Sequence, residues 1–145
     1  MLVTSIPASP DVVFDLTTDL DLLQASMRRF RERAIGGRTS GRIGLGESVT
    51  WRAHHLGLPW TMTSRIESYD RPVSFVDAQT RGPFGSYRHE HRFTAIKGGT
   101  VMTDLVDVAA PFGRPGRMFE GFAARYLERL LAERNQAILE CATGS

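Results

Sequence analysis

The sequence predicts an α+β fold: a curved antiparallel sheet of six or seven strands around a long C-terminal helix, with two short helices after the first strand. Three observations predict it. Between Glu47 and Ala110 apolar and polar residues alternate in runs separated by glycine turns. Ser9-Pro10-Asp11 opens a helix directly after a short apolar strand. From Met118 to about Ala142 there is no proline and one glycine, Gly121, and apolar residues recur at helical spacing. The 145 residues make one domain, 1–145, able to bury an ordinary core.

Leu2 to Ile6 is the first strand, closed by Pro7 and Pro10. Ser9 is placed as N-cap, Pro10 at the first helical position and Asp11 in the first turn. Val12, Val13, Phe14 and Leu16 give this helix its apolar face. Thr17-Thr18-Asp19 breaks it, and Leu20 to Met27 forms a second helix. Arg28 to Ile35 is expected to be a strand, with the glycines from Gly36 to Gly46 as a loop after it.

The segment Glu47–Glu67 folds back on itself about a turn at Gly57-Leu58. His55 then faces Trp60, Ala53 faces Met62, Trp51 faces Ser64 and Val49 faces Ile66. One face is apolar, and the other carries Thr50, Arg52, His54, Thr61, Thr63 and Arg65. A second hairpin, Val73 to Ile96, has Gly82-Pro83-Phe84-Gly85 at its tip. Centred on Phe84, it pairs Phe75 with Phe93, Asp77 with His91 and Gln79 with His89. A turn at Gly98-Gly99 sets Phe93 opposite Asp104 and Ala95 opposite Met102. Pro111 to Gly116 is a loop. Phe119, Phe122, Tyr126, Leu130 and Ala137 form the stripe of the last helix.

Composition excludes several classes. With 41% hydrophobic and 23% charged residues the chain is globular rather than disordered. The formal net charge of +2 is mild, and no nucleic-acid motif accompanies it, so no nucleic-acid partner is expected. Arg28, Arg29, Arg31 and Arg33 form a basic run that is expected to be a solvated face. A single cysteine, Cys141, makes no internal disulfide. Met1 to Pro10 lacks the basic and apolar regions of a signal peptide, and no run reaches 18 apolar residues. The protein is expected to be cytoplasmic, as a monomer or homodimer.

The strings Ile66-Glu-Ser-Tyr-Asp-Arg-Pro72, Phe75-Val-Asp-Ala-Gln79, Gly82-Pro-Phe84, His89-Glu-His-Arg-Phe93 and Gly98-Gly-Thr-Val-Met-Thr-Asp104 resemble those of the START-like, or SRPBCC, superfamily. They are most similar to its bacterial polyketide cyclase/dehydrase-like members. The resemblance covers essentially the whole chain. It implies the helix-grip fold, with a cavity between the curved sheet and the C-terminal helix. It also implies a function within a range of lipid and hormone carriers, quinone-binding proteins and aromatase/cyclases. Fold alone does not choose among these.

The residues expected to bind a ligand are Trp51, His55, Trp60, Met62, Phe75, Asp77, Gln79, His89, His91, Phe93, Met102, Asp104, Phe122 and Tyr126. His89 and His91 are two apart on a strand and share a face. With Asp77 or Asp104 they have the makings of a metal set, but a hydrogen-bonded cluster that orients the ligand is preferred, and no metal or cofactor is expected. Asp77, Gln79, His89 and His91 are expected in one network. Asp77 and His91 are the candidate acid/base pair. The preferred function is binding of a small hydrophobic or aromatic molecule. The alternatives are a cyclase- or dehydratase-like enzyme, and a lipid or quinone carrier that docks on a membrane through Gly82–Gly85 or Pro111–Gly116.

Overall fold

A computed structural model describes residues 1–111 and 117–144, with side chains except for those of 117–119. The expected loop Pro111–Gly116 therefore lies, beyond Pro111, outside the described residues, as does the side chain of Phe119.

Seven strands form one antiparallel sheet: β1 (Leu2–Ile6), β2 (Arg33–Gly37), β3 (Ser48–His55), β4 (Leu58–Asp70), β5 (Ser74–Arg81), β6 (Ser86–Ile96) and β7 (Gly99–Ala109). Their spatial order is β1-β7-β6-β5-β4-β3-β2, so every neighbouring pair except β1 and β7 is consecutive in the chain. Helices α1 (Pro10–Thr17) and α2 (Leu20–Ser26) follow β1, and α3 (Arg117–Thr143) runs 27 residues across the sheet. This is the helix-grip arrangement that the sequence predicts.

Local chemistry explains the elements. Pro10 sits at the start of α1 with Ser9 as an extended N-cap, although the Ser9 side chain makes no capping bond. At α2 the Asp19 carboxylate does cap, accepting from the backbone N–H of Asp21 at 2.9 Å and Leu22 at 3.2 Å. The expected strand Arg28–Ile35 is corrected. Arg28–Phe30 forms a 3-10 turn, Arg31 takes a left-handed conformation at φ 53°, and the strand begins only at Arg33.

All three hairpins turn one residue earlier than expected. Ala53 pairs with Trp60 and Trp51 with Met62; Phe75 pairs with His91 and Asp77 with His89; Phe93 pairs with Met102 and His91 with Asp104. The physical reason is visible at two turns. Gly57 and Gly98 have φ of 76° and 83°, so each glycine fills the second central position of its turn, where a positive φ is needed. Each partner strand thereby slips by two residues. A two-residue slip preserves side-chain alternation, so the expected faces survive the wrong pairing.

The core is divided. Phe14 of α1 is fully buried and meets Tyr69, Phe75 and Phe93 with ring centroids 5.1–5.3 Å apart. Ile6, Val13, Leu20, Ile43, Val49, Ile66, Met102 and Ile138 complete this cluster, and Leu20, Ile43, Val49 and Ile66 also border the open space. Helix α1 thus fills one end of the concave face, and the other end stays open.

Candidate functional site

The open end is a cavity of about 320 Å3 between the concave sheet, α2 and α3. Sheet residues Trp51, Ala53, His55, Trp60, Met62 and Phe75 form one wall. Leu20, Leu23 and Met27 form a second, and Phe122, Ala123, Tyr126, Leu127, Leu130 and Leu131 a third. Strand alternation aims the sheet side chains inward. Of the outward set, Arg52, Thr61 and Arg65 are exposed, whereas Thr50, His54 and Thr63 are half-buried, the two threonine hydroxyls bonding each other at 2.8 Å. Trp60 donates its indole N–H to the His55 carbonyl at 2.9 Å, and His55 Nδ1 lies 2.9 Å from the Tyr126 hydroxyl. These bonds tie β3, β4 and α3 together. Phe122 is 53% exposed although it also lines the cavity, which puts it at the mouth. Burial, and then the charge of His54, lower the pKa of His55.

The inner end is polar. Asp77, His89 and His91 face the cavity from β5 and β6. His91 Nε2 lies 2.7 Å from Asp77 Oδ2, a diagonal contact rather than the direct cross-strand pair expected. The two imidazoles stack with centroids 3.6 Å apart, and Phe75 covers His91 at 3.9 Å. Behind them Asp104, 1% exposed, takes His89 Nε2 at 2.7 Å, an Arg134 N–H at 2.9 Å and the Asn135 amide at 2.8 Å. Asn135 reaches on to the Thr4 hydroxyl at 3.1 Å, joining α3 to β1. His91 Nδ1 is buried, and its nearest polar neighbour is Asp104 Oδ1 at 3.4 Å, too poorly placed for a good hydrogen bond.

The charges follow from this packing. Burial works to raise the Asp104 pKa, but the Arg134 charge and the bonds from His89 and His91 overcome it and hold Asp104 well below the carboxylate range. Asp77 is also lowered: burial opposes, and the contacts with His91 prevail. Burial, then the neighbouring His91, lowers His89 to about 4, so at neutral pH it is uncharged. Glu32 also lines the cavity; its backbone N–H donates to the Met27 carbonyl at 3.4 Å, and its carboxyl makes no ion pair among the described residues. Burial raises its pKa to about 7, against the opposing charge of Arg134.

Of the residues expected from sequence, Trp51, His55, Trp60, Met62, Phe75, Asp77, His89, His91, Phe122 and Tyr126 lie on the cavity wall. Four are placed elsewhere. Phe93 packs on Phe14, and Met102 accepts a contact from the Thr17 hydroxyl at 3.6 Å, so α1 has covered both. Asp104 stands behind the histidines. Gln79 leaves the proposed network, because its amide brackets the Phe84 backbone, donating at 2.9 Å and accepting at 3.3 Å. That clasp braces the tip Gly82–Gly85 and turns Phe84 toward the cavity and Tyr87 instead of outward. Glu32 and Arg134 were missed. Arg134 had a signal: it continues the helical spacing of Leu127, Leu130 and Leu131, and a charge in an apolar stripe needs a buried partner.

The model of a family described as polyketide cyclase / dehydrase and lipid transport matches residues 2–139. No curated protein sequence matches the chain. Solved structures resemble it in fold. A Thermus thermophilus protein has a TM-score of 0.79 at 17% identity, covering 99% of this chain and 95% of its own. A START superfamily protein from Mycobacterium smegmatis gives 0.74 at 14%, covering 96% and 94%. Major latex-like protein 151 from Panax ginseng gives 0.70 at 14%, covering 97% and 94%. At such identities the likeness is one of fold alone. Among the described residues no helix is long and apolar enough to cross a membrane.

Proposed function

The chain belongs to the polyketide cyclase/dehydrase and lipid transport family, and from that premise we propose that it binds one small hydrophobic or aromatic molecule between its sheet and α3. The observation that carries this is the cavity itself: about 320 Å3, mostly apolar and aromatic along its walls, with its charged groups gathered at the inner end. Such a volume suits a ligand of one to three rings, and its few convergent polar groups would fix the ligand's orientation. The apolar body would lie along Trp51, Trp60 and Leu130. Its polar end would reach Asp77, His91 and Glu32.

Both tryptophans of the chain line this cavity, so their emission reports occupancy. N-phenyl-1-naphthylamine, an uncharged fluorescent probe, should bind saturably at one molecule per chain and quench tryptophan emission. Ala123→Phe, which places a ring inside the cavity, should weaken that binding by about 10-fold or more while the chain stays folded by circular dichroism. Equal binding to both proteins would place the probe outside the cavity and remove the support for this reading.

A second reading is favoured by one observation. The Asp77–His91 pair and Glu32, with a pKa near 7, face the same cavity. Such groups can move protons at a carbonyl or hydroxyl, as cyclisation and dehydration require. If His91→Ala and Asp77→Ala keep the probe bound but abolish turnover of a polyketide-like substrate, the enzyme reading displaces simple binding.

A further inference from the structure

We propose that Asp77, His89 and His91 form a site for a divalent transition-metal ion at the inner end of the cavity. One oxygen of Asp77 and one nitrogen from each histidine lie within 4.8 Å of one another. His91 Nε2 is 2.7 Å and His89 Nδ1 4.0 Å from the same oxygen, Asp77 Oδ2. Two imidazoles with one carboxylate are the donor set of zinc and of non-haem iron(II). The His-x-His spacing presents both rings on one strand face, and β5 brings the carboxylate to them.

The surroundings match what a metal site needs behind its ligands. A metal-bound histidine normally donates its other N–H to a carboxylate, which fixes ring and tautomer. Here one carboxylate serves both rings. Asp104 Oδ1 lies 2.7 Å from His89 Nε2 and 3.4 Å from His91 Nδ1. Asp104 is itself held by Arg134 and Asn135, so it is a fixed backstop. With the His89 proton on Nε2, the Nδ1 lone pair faces Asp77 at 4.0 Å and accepts weakly from the Tyr87 hydroxyl at 3.5 Å.

The buried His91 Nδ1, which makes only a 3.4 Å contact with Asp104 Oδ1, points the same way. If His91 donates from Nε2 to Asp77, its Nδ1 lone pair confronts a carboxylate oxygen. Placing the proton on Nδ1 turns that contact into a donation to Asp104 and frees Nε2. Nε2, Asp77 Oδ2 and His89 Nδ1 are then three convergent electron-pair donors, with only the Tyr87 hydroxyl, a long 3.5 Å from His89 Nδ1, to share, and a cation that displaces that hydroxyl resolves the arrangement. Metal–ligand bonds of about 2.0–2.2 Å set adjacent donors roughly 3–3.5 Å apart. The 2.7 Å contact must open and the 4.0 Å contact close, which small side-chain rotations achieve. All three residues line the cavity, so the remaining coordination positions face it and are open to water or a ligand's polar group. A doubly protonated His91 bridging Asp77 and Asp104 is the rival account of the same geometry.

The site is tested with metal alone. Zn2+ titrated calorimetrically into the metal-free full chain should bind at one ion per chain. Asp77→Ala and His91→Ala should each weaken it by about 100-fold or more, whereas Cys141→Ser and His54→Ala, which remove donors elsewhere, should leave it unchanged. Nitrogen-15 spectra of the wild-type histidines avoid any folding defect: Zn2+ should shift His89 Nδ1 and His91 Nε2 selectively. Absence of stoichiometric binding, loss of binding in Cys141→Ser, or a His91 protonated at both nitrogens in the presence of Zn2+ would each overturn the proposal. The naphthylamine titration is run without metal, so failure here leaves the cavity reading standing, and failure there leaves the metal site standing.

Discussion

Glu32 shows how one residue can carry information that its neighbours conceal. In the sequence it is a lone acid among Arg28, Arg29, Arg31 and Arg33, where it looks like charge balance on a solvated face. The left-handed turn at Arg31 sends it inward instead, to a cavity wall where its carboxyl makes no ion pair among the described residues. Its carboxyl pKa rises from 4.5 to about 7 through burial. Between those values the folded chain holds a proton that the unfolded chain has released. Stability contributed by the protonated form is therefore complete below about pH 4.5 and is lost as pH rises toward 7. Glu32→Gln, which mimics the protonated form, should be more stable than wild type at pH 8 by about 1–3 kcal/mol. The two proteins should converge near pH 4.5, as urea melts at both pH values would reveal. Arg134 was more legible than Glu32, because helical spacing alone puts it on the inward stripe. No comparable periodicity marks a residue in a turn, and that is why Glu32 could not be found by pattern.

At the scale of elements, the hairpins separate what alternation determines from what turn chemistry determines. The faces of β3 and β4 followed from alternation alone, so Trp51, Met62 and Ser64 point inward although their pairing partners were misassigned by two residues. The pairing depended on which residue accepts a positive φ. At the β3–β4 turn that role falls to Leu56 as well as Gly57, with φ of 55° and 76°. A leucine in this region is strained, and its side chain, 63% exposed, recovers little by packing. Nothing in the sequence announces a leucine there, since two-residue turns of this kind favour Asn-Gly. Leu56→Asn should accordingly stabilise the chain by about 0.5–1 kcal/mol, with the midpoint of thermal unfolding rising by a few degrees. An unchanged or lower midpoint would mean that Leu56 packs on the cavity mouth more than its exposure implies.

Across the whole molecule, the concave face serves two purposes, and α1 draws the line between them. On one side Phe14 fills the space against Phe75 and Phe93, and the packing leaves no room for a ligand. On the other side α2 and α3 stand off from β3 and β4, and Trp60 and Met62 meet open volume. The sequence made the sheet, the helices and the inward faces legible, because those follow from periodicity. It did not disclose which inward residues would be covered. Phe93 and Met102 have the same alternation as the cavity residues and differ only in having α1 above them. A substitution on each side should then separate stability from binding. Phe14→Ala removes a fully buried ring at the meeting point of three others and should cost about 3–5 kcal/mol. Any protein that remains folded should still bind the naphthylamine probe with an affinity within about 3-fold of wild type. Trp60→Ala removes a half-buried wall residue and one hydrogen bond, a loss of about 1–2 kcal/mol. It should weaken the probe by about 10-fold or more, because the lost surface is the surface the ligand would cover. Chemical denaturation and probe titration on the two variants, compared at one temperature and pH, decide the matter. Equal losses of binding in both would show that the two halves of the concave face act as one.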